Sequence, residues 1–225
     1  MLFEDNHLIA VNKPSGVLVQ GDNTGDLSLD TIVKQYIKEK YNKPGDVFLG
    51  VIHRIDRPVS GVILYGRTSK ALTRMNEQFK NKEVKKVYWA VCKNRPEDTE
   101  GHLVNHLRKN AAQNKSFVCK KDAKGSQKAE LNYEWINQSN NFNLFHVELL
   151  TGRHHQIRAQ LAHIGCPIKG DLKYGAKRSN PDGSIHLHAR SISFMHPVKK
   201  EPITITAKAP QESLWNFFEE TETKR

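Results

Sequence analysis

The sequence predicts an α+β fold with a mixed, mainly antiparallel central sheet flanked by helices and loops. Strand-like and helix-like patterns alternate irregularly along the chain, and the gaps between strands are of both hairpin and helix length. No internal repeat appears, and no Pro/Ser/Gly linker is long enough to divide the 225 residues. That length supports one well-packed core or a bilobed domain.

The elements follow in order. Leu8 to Val11 reads as a short strand, Lys13-Pro14-Ser15-Gly16 as a turn, and the residues up to 19 as a second short strand. Leu29, Ile32, Val33, Tyr36 and Ile37 mark one face of a helix stopped by Pro44-Gly45. Ile52 and the run Val62 to Tyr65 are strand-like, which places Asp56 in a loop between strands. Ser69 is positioned to cap a helix carrying Leu72, Met75 and Phe79 on one side. Strands are expected over about 84–92, 129–136, 144–150, 185–195 and 203–207. A helix carrying Ile157, Leu161 and Ile164 ends at Gly165, and Leu214, Phe217 and Phe218 suit a short C-terminal helix. Residues 108–128, with seven Lys/Arg against one acidic residue, read as the least ordered stretch. They form either a solvated charge run or a loop facing RNA.

Composition narrows the function. A net charge of +11 and a pI near 9.5 point to a polyanionic partner, with nucleic acid first and an anionic membrane second. No apolar run approaches the length of a membrane span, and Met1-Leu2-Phe3-Glu4-Asp5 does not begin like a signal peptide. Cys92, Cys119 and Cys166 lack metal-ligand spacing and fit a reduced cytoplasmic setting. His154-His155 with His163, and His186 with His188, lack the acidic or cysteine ligand that would make a zinc site. Gly170 to Gly175 has neither nucleotide-loop spacing, and no GxSxG element is present. No metal and no cofactor is expected.

Two segments carry chemistry. In His53-Arg54-Ile55-Asp56-Arg57-Pro58-Val59-Ser60-Gly61, one carboxylate stands between two arginines, and the proline and Ser-Gly pair bend the backbone after it. Facing a cleft, such an Asp is held ionised by the cations and can act as nucleophile or base; in a surface turn it is only part of an ion-pair cluster. In Thr151-Gly152-Arg153-His154-His155-Gln156-Ile157-Arg158, a strand turns into a helix. Free backbone N–H groups and the positive end of the helix dipole suit an anion there, and Arg153, His154 and His155 add donors. Arg158, on the first turns, is placed to reach a carboxylate from another strand.

Taken in order, these segments resemble the RluA-type pseudouridine synthase family. Asn12-Lys13-Pro14-Ser15-Gly16 resembles its first motif and residues 53–61 its HRLDxxTSG motif. Lys86-Val87-Tyr88-Trp89-Ala90 is similar to K-x-Y-x-A, and residues 151–158 to TGRxHQIR. Gly165 to Asp171 with Tyr174-Gly175 is similar to GxPIxGDxxYG, and Leu187-His188-Ala189, Phe194 and His196-Pro197 to its late element. Ile55 replaces the usual Leu, and Pro58-Val59 the commoner pair, without removing a reactive group.

The resemblance implies a single catalytic domain that isomerises a uridine of structured rRNA or tRNA without a cofactor, with RNA as partner and a cytoplasmic monomer as the working form. The chain starts at the first motif, so no S4 RNA-binding domain is expected. Asp56 is implied as nucleophile at ribose C1′ or base C6. Arg158 is its pairing partner, and Tyr88 packs on the target base as candidate proton-transfer group. Arg54 is implied to fill the space left by the extruded base, with Lys13, Arg153, His155 and Gln156 also contacting RNA. Two alternatives stand beside this: a catalytically silent RNA-binding protein on the same fold, and a hydrolase in which Asp171 supplies a second carboxylate.

Overall fold

Leu8, Ile9, Ala10 and Val11 are all buried in the computed structural model, which describes residues 1–22 and 25–223. A strand covered on both faces reads as a continuous apolar run. In chain order the elements begin with β1 (Phe3–Glu4), β2 (Leu8–Lys13), α1 (Leu29–Lys40), β3 (Gly50–Val51), β4 (Ser60–Gly66) and α2 (Ser69–Lys80). Then come β5 (Lys85–Cys92), β6 (Glu100–Asn110), β7 (Lys115–Cys119), β8 (Gln127–Gln138) and β9 (Asn143–Leu149). The chain closes with α3 (Gln156–His163), a 3-10 turn over Leu172–Tyr174, β10 (Leu187–Met195), β11 (Pro202–Thr206) and α4 (Ser213–Thr223). Helices beside a mainly antiparallel sheet are the α+β class read from the sequence. Two compact units result: Met1–Val84 with Ala189–Lys208, and Lys85–His188 with Ala209–Arg225.

In the first unit the strand order is β1-β2-β4-β10, with β3 on β4 and β11 on β10. Alternate β2 and β4 residues serve opposite faces. Ile9, Val11, Ile63 and Tyr65 pack on Val33 and Ile37 of α1, whereas Leu8, Ala10, Val62 and Leu64 pack with Ala71 and Met75 of α2. The cap of α2 is Thr68, whose Oγ1 accepts from the Ala71 N–H at 3.1 Å, one residue before the expected Ser69. The second short strand, expected by residue 19, does not form. Its carbonyls are taken elsewhere: Val17 by Lys13 Nζ, Leu18 by the Leu29 N–H, and Val19 by the Tyr65 hydroxyl.

The second unit orders its strands β5-β9-β8-β6-β7, all antiparallel, with Tyr88 opposite Val147 and Arg108 opposite Phe117. Trp89, Val91 and Leu144 pack under Trp215 and Phe218 of α4, and Leu107 and Ala129 under Ala159 of α3. Residues 108–128 are therefore not a loose loop. Their first part is the β6–β7 hairpin, with five paired positions from His106↔Cys119 to Asn110↔Lys115. Arg108 and Lys109 are exposed on it and backbone pairing supplies the order, so charge masked the strand pattern.

Candidate active site

Asp56 lies in the first unit, half-buried in the loop between β3 and β4. The Val59 N–H donates to the Asp56 carbonyl at 3.0 Å and closes a turn over Arg57-Pro58. Lys13 holds this turn from beneath. Its ammonium is fully buried and donates to the carbonyls of Pro14 (2.9 Å), Val17 (2.8 Å) and Arg57 (3.1 Å). The Gly16 N–H also donates to the Arg57 carbonyl, at 2.8 Å, and Arg57 Nε returns a bond to the Gly16 carbonyl at 2.9 Å. The first motif is thus the seat of the Asp56 loop. Burial brings the Lys13 pKa down to about 8; the nearby Asp56 carboxylate opposes the shift and Arg57 adds to it.

The remaining motif residues of this loop shape it. His53 Nε2 accepts from the Leu64 N–H at 3.1 Å, and its ring stacks on Phe79 with centroids 5.4 Å apart. Gly61 has φ +119°, and a Cβ there would stand 2.3 Å from the Ala189 carbonyl, so no other residue fits. Arg54 is exposed.

The second unit carries Tyr88 and Arg158. Tyr88 is buried on β5, with its neighbours Val87 and Trp89. The strand-to-helix turn before α3 is fastened by Gln156, whose Oε1 accepts from Thr151 Oγ1 (2.7 Å) and from the Arg153 N–H (3.0 Å), while Nε2 donates to the Glu130 carbonyl (3.0 Å). His155 enters the helix at φ 53°. Its ring stacks on His154 at 3.8 Å, and its Nδ1 lies 3.0 Å from the Tyr174 hydroxyl. Burial, with the Arg158 and His154 charges adding to it, pushes the His155 pKa down to about 2, so the imidazole is neutral at physiological pH.

Arg158 is held by a carboxylate of its own unit. Nε donates to Asp171 Oδ2 at 2.7 Å and Nη2 to Asp171 Oδ1 at 2.9 Å, a two-point fork with both side chains buried. Beside the fork, the Arg158 guanidinium carbon stands 5.1 Å from the centre of the Tyr174 ring. Asp171 reaches this position after Gly170 at φ +87°, where a Cβ would meet Asn180 and the Ser184 carbonyl at 2.7 Å.

Three of the residues expected at RNA have bonds inside the protein. Lys13, His155 and Gln156 are buried and bonded within the protein, and act as fasteners of the two loops. Arg54 and Arg153 are exposed; Arg153 Nε donates to the Lys128 carbonyl at 2.9 Å. Asp171 and Tyr174 were present in the sequence as the GDxxYG pattern, where Asp171 was weighed only as the second carboxylate of a hydrolase and Tyr174 had no task. Among the described residues, no group of three His, Cys, Asp or Glu side chains could hold a metal ion.

Comparison with known proteins bears on this arrangement. The family model described as RNA pseudouridylate synthase matches residues 7–163. Ribosomal large subunit pseudouridine synthase C of Rickettsia typhi is 33% identical over 213 residues, covering 93% of this chain and 68% of that protein. tRNA pseudouridine synthase C of Haemophilus influenzae is 32% identical, covering 92% of this chain and 91% of that protein. Among solved structures, human RNA pseudouridylate synthase domain containing 4 superimposes with a TM-score of 0.81 over 96% of this chain and 91% of that one, at 22% identity.

Proposed function

Since this chain belongs to the RluA-type RNA pseudouridylate synthase family, we propose that it isomerises a specific uridine of a structured ribosomal or transfer RNA, with Asp56 as nucleophile. The reaction breaks the N1–C1′ bond, turns the base, forms the C5–C1′ bond, and releases the C5 proton while N1 gains one. Asp56 adds at C1′ or at C6; either route begins from an ionised carboxylate. The single observation that carries this reading is the seat of the Asp56 loop, in which the buried Lys13 ammonium and the Gly16 N–H both donate to the carbonyl of Arg57, the residue next to Asp56. Positioning of that kind is worth several orders of magnitude in rate. The family match spans both units, which supports one catalytic domain. Mapping pseudouridine by carbodiimide-dependent stops in total RNA, with and without the protein, tests the reading and names the uridine.

Arg158 orients reacting groups from its fork with Asp171, and Tyr88 packs on the extruded base. Arg54 fills the gap in the stack, and Arg153 with the β6–β7 hairpin seats the phosphates. The protein works without a cofactor, as a monomer in the cytoplasm. Among the described residues no helix is long and apolar enough to cross a membrane. The active enzyme is favoured over a silent RNA-binding relative because Asp56, Tyr88 and Arg158 are all retained.

Tyr88→Phe separates packing from chemistry. RNA should bind within about twofold of wild type while single-turnover pseudouridine formation falls by about a hundredfold or more, the worth of a lost proton-transfer group. A Tyr88→Phe rate equal to wild type would leave only the packing role. RNA affinity should also fall steeply with salt. About four to six phosphate contacts on irregular RNA give a log–log slope near −3 to −4, and a flat response contradicts the electrostatic seat.

A further inference from the structure

Tyr174 lies at a junction that the proposed chemistry leaves without a task. Its ring lies beside Arg158 at 5.1 Å, and its own N–H donates at 3.1 Å to the carbonyl of Asp171, the residue whose carboxylate forks Arg158. At the other end its hydroxyl accepts from the Ser116 N–H at 2.8 Å and donates to the Ser116 carbonyl at 3.1 Å. Ser116 is on β7, the last strand in its sheet order, so a single hydroxyl takes the place of a neighbouring strand there.

The same patch of hairpin is gripped from the turn before α3 and from the 3-10 turn. His154 Nδ1 meets Ser116 Oγ at 2.9 Å, His154 Nε2 meets Asn114 Oδ1 at 3.1 Å, and Lys173 Nζ donates to the Asn114 carbonyl at 3.0 Å. Asn114 sits at φ 44° in the hairpin turn. Arg108 and Lys109 are both exposed on the hairpin, Arg108 opposite Phe117 and Lys109 opposite Ser116, and Phe117 is exposed beneath Lys115 Nζ at 5.1 Å. A displacement of this cationic hairpin has a short route to Arg158, through one phenol.

We propose that Tyr174 is a positioning residue that couples the β6–β7 hairpin to Arg158, so that seating of RNA phosphates on the hairpin sets the guanidinium for turnover. The proposal rests on the reading of this chain as a pseudouridine synthase. Tyr174→Phe keeps the ring beside Arg158 and releases Ser116 and His155 from the hydroxyl. Single-turnover rate should fall by about tenfold to a hundredfold, the cost of a small misplacement. RNA affinity should stay within about twofold, the split expected when only transition-state interactions are lost. In an Arg158→Lys background the same substitution should cost nothing further, because residues acting through one another are non-additive.

A core tyrosine without this role would change melting temperature and affinity and would add its effect to that of Arg158→Lys. That additivity, or an unchanged Tyr174→Phe rate in a protein whose wild type is active, overturns the proposal alone. A wild type that forms no pseudouridine overturns the function and the proposal with it. Should Tyr174→Phe fail to fold, Asn114→Gly carries the test, since glycine suits that turn and removes the His154 contact. It should slow turnover by about threefold at unchanged affinity, and an unchanged rate there overturns the coupling.

Discussion

Asp56→Asn is expected to abolish isomerisation while the protein stays folded and binds RNA near wild-type affinity. Asparagine keeps the size of the side chain and removes its nucleophilic charge. The loop should survive, because its anchorage runs through backbone groups: Lys13 Nζ and the Gly16 N–H on the Arg57 carbonyl, and the Val59 N–H on the Asp56 carbonyl. Residual single-turnover activity should lie below about a thousandth of wild type, since nothing replaces a covalent nucleophile. A melting curve and an RNA titration on the same preparation show that the loss is chemical. Turnover above that level removes Asp56 from the covalent step.

Arg158→Ala is expected to lose both turnover and stability. The substitution leaves Asp171 buried without the fork that now meets both of its carboxylate oxygens. Removing one member of a buried pair typically costs about 3–5 kcal/mol, much of it the desolvated charge left behind. Denaturant unfolding reads the stability loss, and single-turnover assays under native conditions read the rate. The double variant Arg158→Met with Asp171→Leu removes both charges, and should recover most of the stability with none of the activity. An Arg158→Ala protein as stable and as active as wild type contradicts the role of the fork.

What the sequence disclosed and what it concealed divide along physical lines. Helices α1 and α2 were legible because Leu29, Val33 and Ile37, and Leu72, Met75 and Phe79, repeat at helical spacing and pack on one face. The cap of α2 was misplaced by one residue because Thr68 and Ser69 have equivalent side chains for the task, and backbone geometry chose Thr68. The β6–β7 hairpin was hidden because its few buried positions, Leu107 and Ser116 among them, stand among charged and polar residues, so little apolar period remains to be read. Lys13 was expected at RNA from the resemblance, and lysine is seldom buried. Only the folded chain brings three carbonyls around one ammonium and makes burial tolerable. Asp171 follows the same lesson. It is thirteen residues from Arg158 in sequence, and the left-handed turn at Gly170 precedes it.

Release of tritium from RNA carrying 5-tritiated uridine tests the central claim most directly, because only a reaction that replaces the C5–H bond sets that label free. Wild-type protein should release tritium in step with pseudouridine formation, equally well with a chelator present, and Asp56→Asn should release none above background. Wild-type protein that releases no tritium from any cellular RNA, or Asp56→Asn protein that releases it as fast as wild type, contradicts the account.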